Sequence, residues 1–213
     1  MEAVWEFLFA QYEGYSTWDI VLEATAVVFG ILSVMFAMRG SILVFPTGIV
    51  STLIYIYVTI TISLWGDMGI NIYYTAMSVY GWYRWTRPQE DAPELPITRL
   101  EGNERWISLG MVAVFFGILA YVLVNFTDSP VPYTDAFTTA IFFVGMLEMA
   151  RKKLENWVYW IIGDLISIPL YYYKGLTLSS FQFLIFLGLA IAGYLEWRKK
   201  IQAREAGQLA ASA

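Results

Sequence analysis

Seven stretches of about 17–21 mostly apolar residues run through the chain, each long enough to cross roughly 30 Å of bilayer hydrocarbon. The Lys and Arg residues fall almost entirely in alternate gaps between them. Arg39 follows the first stretch, and Arg84, Arg87, Arg99 and Arg105 flank the gap after the third. Arg151, Lys152 and Lys153 follow the fifth, and Arg198, Lys199, Lys200 and Arg204 follow the seventh. Lys174 alone lies in the other set of gaps, which together with the amino-terminal tail holds Glu2, Glu6, Glu13, Asp19, Asp67, Asp128 and Asp135. Lys and Arg loops stay in the cytoplasm. The pattern therefore predicts an all-α integral membrane protein of seven transmembrane helices, with a periplasmic amino terminus and a cytoplasmic carboxyl terminus.

The spans are expected near 20–38, 42–62, 68–86, 106–126, 133–150, 157–173 and 177–197. They absorb most of the 213 residues, which leaves a single membrane domain and no soluble one. Compactness and short loops suggest a bacterial inner membrane. The acidic amino terminus lacks the basic region of a signal peptide, so the first span is expected to direct insertion. Pro88–Glu104 reads as a cytoplasmic connector, and the tail beyond Arg198 as disordered.

Composition removes whole classes of chemistry. With no Cys and no His, disulfides, thiolate nucleophiles and zinc or haem sites built on those residues are excluded. No metal or cofactor is expected, and no enzyme. A retinal photoreceptor needs a Schiff-base Lys within its last span, where the first Lys is Lys199 at the edge. The basic residues form short juxtamembrane clusters explained by topology, so no nucleic-acid partner is implied. A phosphate-binding loop is absent too, so the chain cannot itself couple ATP hydrolysis to transport.

An internal repeat underlies the spans. A shift of 115 positions places Phe45 on Trp160, Gly48 on Gly163, Thr52 on Ser167 and Tyr57 on Tyr172. A shift of 112 places Gly81 on Gly193 and Trp85 on Trp197. The expected architecture is two parallel three-helix bundles, 20–86 and 133–197, joined by a linker helix at 106–126. Small carriers built from parallel repeats place their substrate near the midplane between the halves.

The residue least at home in a bilayer is Asp164, because a carboxylate near its centre costs about 3 kcal/mol and normally faces a cavity or a partner. At 100° per residue Trp157, Trp160, Asp164, Ser167 and Tyr171 share one face of the sixth span. Trp157, near the cytoplasmic end, also fits an interfacial belt. A second stripe on the third span carries Asn71, Tyr74, Thr75, Ser78, Trp82 and Trp85, whose hydroxyls also suit interhelical contacts. Gln182 is the seventh span's amide before its basic end, at the depth of Asn71. The candidate substrate-binding residues are therefore Trp157, Trp160, Asp164, Ser167, Asn71, Tyr74, Thr75 and Gln182. Glu148 and Glu196, beside basic residues, read as surface ion pairs, and Pro46 and Pro169 as kinks or hinges.

The run Asn156–Gly175, N-W-V-Y-W-I-I-G-D-L-I-S-I-P-L-Y-Y-Y-K-G, resembles the sixth-helix signature of PnuC-type bacterial vitamin transporters. The pattern W-x-x-W-x-x-x-D falls on Trp157, Trp160 and Asp164. Phe45–Gly48 (F-P-T-G) and Tyr80–Trp85 (Y-G-W-Y-R-W) are similar to that family as well. The resemblance implies a full-length relative of SWEET sugar transporters. It implies facilitated diffusion of nicotinamide riboside, a vitamin B3 form and NAD precursor, trapped by a cytoplasmic nicotinamide riboside kinase. It also implies a homotrimer in the lipid bilayer. The family also carries thiamine, riboflavin and deoxynucleosides, so thiamine or another nucleoside-like vitamin is the alternative. Trp faces attract a pyridinium cation, while Asp164 either balances its charge or accepts from ribose hydroxyls.

Overall fold

The computed structural model describes residues 16–61, 63–87 and 95–212. Seven helices account for nearly all of them: α1 Thr17–Arg39, α2 Val44–Thr61, α3 Trp65–Thr86, α4 Asn103–Phe126, α5 Pro132–Ala150, α6 Asn156–Tyr173 and α7 Thr177–Ser212. The expected helices recur with ends displaced by a few residues, except that α7 runs fifteen residues beyond its expected end at 197. Glu2, Glu6 and Glu13, and the connector's Pro88, Glu90, Asp91, Pro93 and Glu94, lie outside the described residues.

Helix ends follow local chemistry. Ser16 and Asp19 form a reciprocal capping box at the start of α1. Gly40 closes α1 at φ 68°, a left-handed conformation that costs glycine no Cβ clash, and its N–H returns to the Ala37 carbonyl. Pro46 does not kink α2, contrary to expectation. It lies in the first turn, where a helical N–H has no partner to lose. Pro169 is the proline inside a helix body, near the end of α6.

Contacts run α1 to α2, α2 to α3, α3 to α5, α5 to α6, α6 to α7, and α7 back to α1. Six helices thus close a ring, and α4 lies outside it, chiefly against α5. α5 is covered on most sides, with Ala136, Ala140, Val144 and Ala150 fully buried. The outward face of α4 presents Trp106, Val114, Ile118, Tyr121 and Phe126, as hydrocarbon demands of a helix whose backbone is internally satisfied.

Four helices among the described residues are long and apolar enough to cross a membrane: α1, α2, α4 and the Ser179–Ala210 part of α7. The expectation of seven is met to that extent. α3, α5 and α6 fall short by composition: α3 and α6 are rich in Tyr and Trp, and all three carry polar or acidic residues such as Asn71, Glu148 and Asp164.

Two loop expectations change. The carboxyl-terminal half of the connector is not free: Thr98 and the α5–α6 turn exchange backbone hydrogen bonds, Thr98 N to Lys152 O at 3.1 Å and Leu154 N to Thr98 O at 2.8 Å. Leu95 and Leu100 are buried beneath it, and their burial offsets the ordering of the segment. The tail beyond Arg198 continues α7 to Ser212 rather than being disordered. Its Ala, Gln, Glu and Arg are strong helix formers, and Ile201 anchors it in the core.

Candidate ligand cavity

A cavity of about 260 Å³ lies inside the six-helix ring, bordered by α1, α2, α3, α5, α6 and α7. Of the sequence-predicted residues, Asn71, Tyr74, Trp157, Trp160, Asp164 and Gln182 line it. Ser167 and Thr75 do not. Ser167 is fully buried behind the wall with Oγ unpartnered. Thr75 donates to the Asn71 carbonyl at 2.9 Å and lies 2.7 Å from Thr52 Oγ1, which does reach the cavity. Trp82, assigned to the same α3 stripe, is 41% exposed and turned away. A helical face is defined by angle alone, and near the helix end the neighbours of α3 no longer cover that angle.

Each indole has a distinct setting. Trp157 is 2% exposed, which rules out an interfacial belt. Its ring lies edge-on to Trp197, with centroids 5.6 Å apart. Trp160 stacks on Phe142 at 5.3 Å and tilts toward Tyr74 at 6.4 Å. Tyr171, placed on the same α6 stripe, packs against Phe183 instead of the cavity. Asn71 donates from Nδ2 to the Asp67 carbonyl one turn back.

Asp164 carries the electrostatics. It is 2% exposed, lines the cavity, and its Oδ2 has no hydrogen-bond partner; Trp157 Nε1 is likewise buried without an acceptor. A buried carboxylate is costly unless a cation or hydrogen-bond donors meet it. Across the cavity Ser33 Oγ donates to the Val44 carbonyl at 2.7 Å and Ser51 Oγ to the Ala26 carbonyl at 2.8 Å. A hydroxyl has one hydrogen, so both present only lone pairs to a ligand. The arrangement offers acceptors and aromatic faces.

The repeat organises the walls, in one register. A Cβ on Gly81 would strike the Phe45 ring at 2.3 Å, and one on Gly193 the Trp157 ring at 2.5 Å. Phe45 meets Trp85 edge-on at 85°, and Trp157 meets Trp197 at 87°. A shift of 112 positions relates all three residues of each set. The 115 shift expected for α2 and α6 is therefore corrected: Phe45 matches Trp157, Gly48 matches Trp160 and Thr52 matches Asp164. In this register Val34 and Met146, Gly48 and Trp160, Thr52 and Asp164, Tyr74 and Phe186 are equivalent pairs, and all eight residues line the cavity. Gly30, Ser33, Gly48, Ser51 and Thr52 were not among the predicted residues, although extending the Gly81–Gly193 shift into α2 places Gly48 on Trp160 and Thr52 on Asp164.

Glu148 is also corrected. It is not a surface pair but fully buried, with both oxygens 3.2 Å from Arg151 Nη1. Arg151 continues to Glu104 at 2.7 Å and Glu104 to Lys153 at 2.8 Å, joining α4 to the α5–α6 turn. Glu196 is the surface pair expected, 3.7 Å from Lys200.

Residues 20–199 match the family model described as nicotinamide mononucleotide transporter. The chain is 26% identical over 216 residues to the nicotinamide riboside transporter PnuC of Escherichia coli (strain K12), covering 90% of each. It is 26% identical over 177 residues to the riboflavin/roseoflavin transporter RibM of Streptomyces davaonensis, covering 80% of this chain and 81% of that one. A crystal structure of the vitamin B3 transporter PnuC shares the fold, with TM-score 0.68 and 24% identity over 95% of this chain and 92% of the other. A family match spanning α1 to α7, on a helix ring that encloses an aromatic and acidic cavity, places the chain in the nicotinamide mononucleotide transporter family of PnuC-type proteins.

Proposed function

We propose that the chain carries nicotinamide riboside across a bacterial inner membrane by facilitated diffusion. The observation that carries this reading is Asp164: a buried carboxylate with an unpartnered oxygen, beside Trp160, inside a closed ring of helices. Nicotinamide riboside brings a permanently cationic ring for the indole and carboxylate, and hydroxyls for the acceptor-only serines. An aromatic face attracts a desolvated cation by about 2 kcal/mol. The chain is a transporter and not an enzyme.

In this reading all seven helices span the membrane, amino terminus outside and carboxyl terminus in the cytoplasm. α1–α3 and α5–α7 are two parallel bundles joined by α4, a SWEET-like plan, and they rock about the cavity in alternating access. The paired contacts of Phe45–Trp85 and Trp157–Trp197 support that division. Each protomer of a homotrimer works alone, and a cytoplasmic nicotinamide riboside kinase traps the product. Crosslinking α2 to α6 near their cytoplasmic ends is expected to stop net flux while external binding persists; unchanged flux counts against rocking.

The second reading keeps the fold and changes the cargo to thiamine or another nucleoside-like vitamin. It is favoured by the likeness to a riboflavin/roseoflavin transporter. Uptake of labelled nicotinamide riboside into proteoliposomes without an imposed gradient separates the two. Saturable uptake that equilibrates and resists excess thiamine and riboflavin supports the riboside. Uptake of thiamine or riboflavin in its place transfers the assignment.

A further inference from the structure

The two walls of the cavity are built from equivalent pairs of unequal bulk: Tyr55 of α2 answers Ser167 of α6, and at two further pairs the bulk falls on the α5–α6 side. On the α5–α6 side Trp160 covers Gly145, whose Cβ would lie 3.5 Å from the indole. The equivalent α1–α2 pair is Ser33 and Gly48, where a Cβ on Gly48 would meet Ser33 Oγ at 3.0 Å. One layer further, the Phe142 ring fills the space over Gly163, 2.2 Å from where a Cβ would stand. Its counterpart is Gly30, facing Ser51 Oγ at 3.3 Å. Two aromatic rings on one side thus correspond to two glycines on the other, and both glycines border the open volume. That volume is shared with Asp164, 2% exposed and unpartnered at Oδ2. A buried polar oxygen beside space left by missing side chains marks where a ligand belongs.

We propose that Gly48, with Gly30 beside it, is the specificity-determining position that sets the size of molecule this chain carries. The inference rests on the riboside reading and adds the residues that limit it. The substrate's ring lies against Trp160, and its second half occupies the room that an aromatic at position 48 would take. Neither glycine has a left-handed backbone, so their role is space rather than conformation. Alanine is compatible with both helices and favours them by about 1 kcal/mol where space allows.

The test measures binding of two pyridinium cations to the purified full chain: nicotinamide riboside, and 1-methylnicotinamide, which has the ring and charge without the sugar. Gly48→Ala is compared with Gly48→Ala/Ser33→Ala, which removes the oxygen that the new Cβ would strike, and both are read against Ser33→Ala alone, which removes only that acceptor. Both Gly48 variants are expected to weaken riboside binding by roughly tenfold or more and to leave the small cation within about twofold, since one methyl group in a tight pocket discriminates on that scale. Unchanged riboside binding overturns the proposal. So does parallel loss of both cations, or recovery in the double variant, which would make the loss a Ser33 clash. Wild-type protein that binds thiamine or riboflavin and no riboside overturns the substrate reading alone. The variants are then scored on that ligand: tenfold loss supports the size role of Gly48, and no loss overturns it.

Discussion

The indole of Trp197, at the end of the ring-facing part of α7, donates from Nε1 to the carbonyl of Ala37 on α1 at 2.9 Å. Its repeat partner does the same in the other direction: Trp85 of α3 donates to the Ala150 carbonyl on α5 at 3.1 Å. Each half of the chain reaches across to hold the last turn of the other half's first helix. The two indoles also meet, with centroids 6.2 Å apart. Phe45 and Trp157 complete the cluster. It lies at the end of the ring next to Arg39, Arg151 and Arg198, so the crossed pair joins the two halves on the side of the basic loops.

Trp197→Phe removes the hydrogen bond and leaves a small void, while Ala37 O keeps its bond from Gly40 N–H. The expected loss is about 1–3 kcal/mol of stability. A Cys probe introduced on the cavity's basic side is expected to label faster in this variant. Unchanged melting and labelling would show that the crossed bonds do not hold this end of the ring together.

Gly81 and Gly193 are equivalent, yet substitution separates their roles. Gly81→Ala drives a Cβ into Phe45, and Gly193→Ala drives one into Trp157. Overpacking costs about 1–3 kcal/mol in each case. Only Trp157 lines the cavity, so Gly193→Ala is expected to weaken substrate binding severalfold more than Gly81→Ala at equal loss of melting temperature. Calorimetric binding and thermal unfolding of both variants decide it.

Helix order, and the helix ends other than that of α7, were legible because hydropathy and charge sign act along the chain. Legibility fell where a neighbour in space decides. Asp164, Trp157 and Trp160 declared themselves by cost or size, but the opposite wall includes Gly30, Ser33, Gly48 and Ser51. Small residues carry no signal until something large is seen to be missing opposite them. Glu148 looked like a surface charge because Arg151 follows it, and its burial depends on α4 lying across α5. The register of α2 on α6 was misread because single aromatic matches are degenerate, whereas the contacts of Gly81 and Gly193 admit one shift.

Glu148 of α5 is tied to α4 through Arg151 and Glu104. Glu148→Gln keeps the shape and leaves Arg151, partly exposed and still bound to Glu104, with one partner fewer. Breaking a buried pair from one side costs up to about 3–5 kcal/mol, and the exposure of Arg151 places this case toward the lower end. The expected result is a lower melting temperature with cavity affinity intact. Glu148→Gln/Arg151→Gln should recover part of the loss, since no charge is then left seeking a partner. A fall in riboside affinity at full stability would move Glu148 into the binding machinery.

Asp164→Asn preserves volume and removes the charge. If the carboxylate balances a cationic ring, affinity for nicotinamide riboside falls by roughly tenfold to a hundredfold, about 1.4–2.7 kcal/mol. A neutral competitor such as riboflavin is then unaffected or gains. If the carboxylate instead accepts from ribose hydroxyls, Asn still offers one carbonyl oxygen as acceptor, so the loss is smaller. In that case the sugar-free 1-methylnicotinamide is unchanged by the substitution. Loss of both cations with retention of the neutral competitor assigns the charge role. Loss of the riboside alone assigns the hydroxyl role. Full retention of both would mean that Asp164 is a packing residue and that the cavity's specificity lies with Trp160 and the hydroxyl wall.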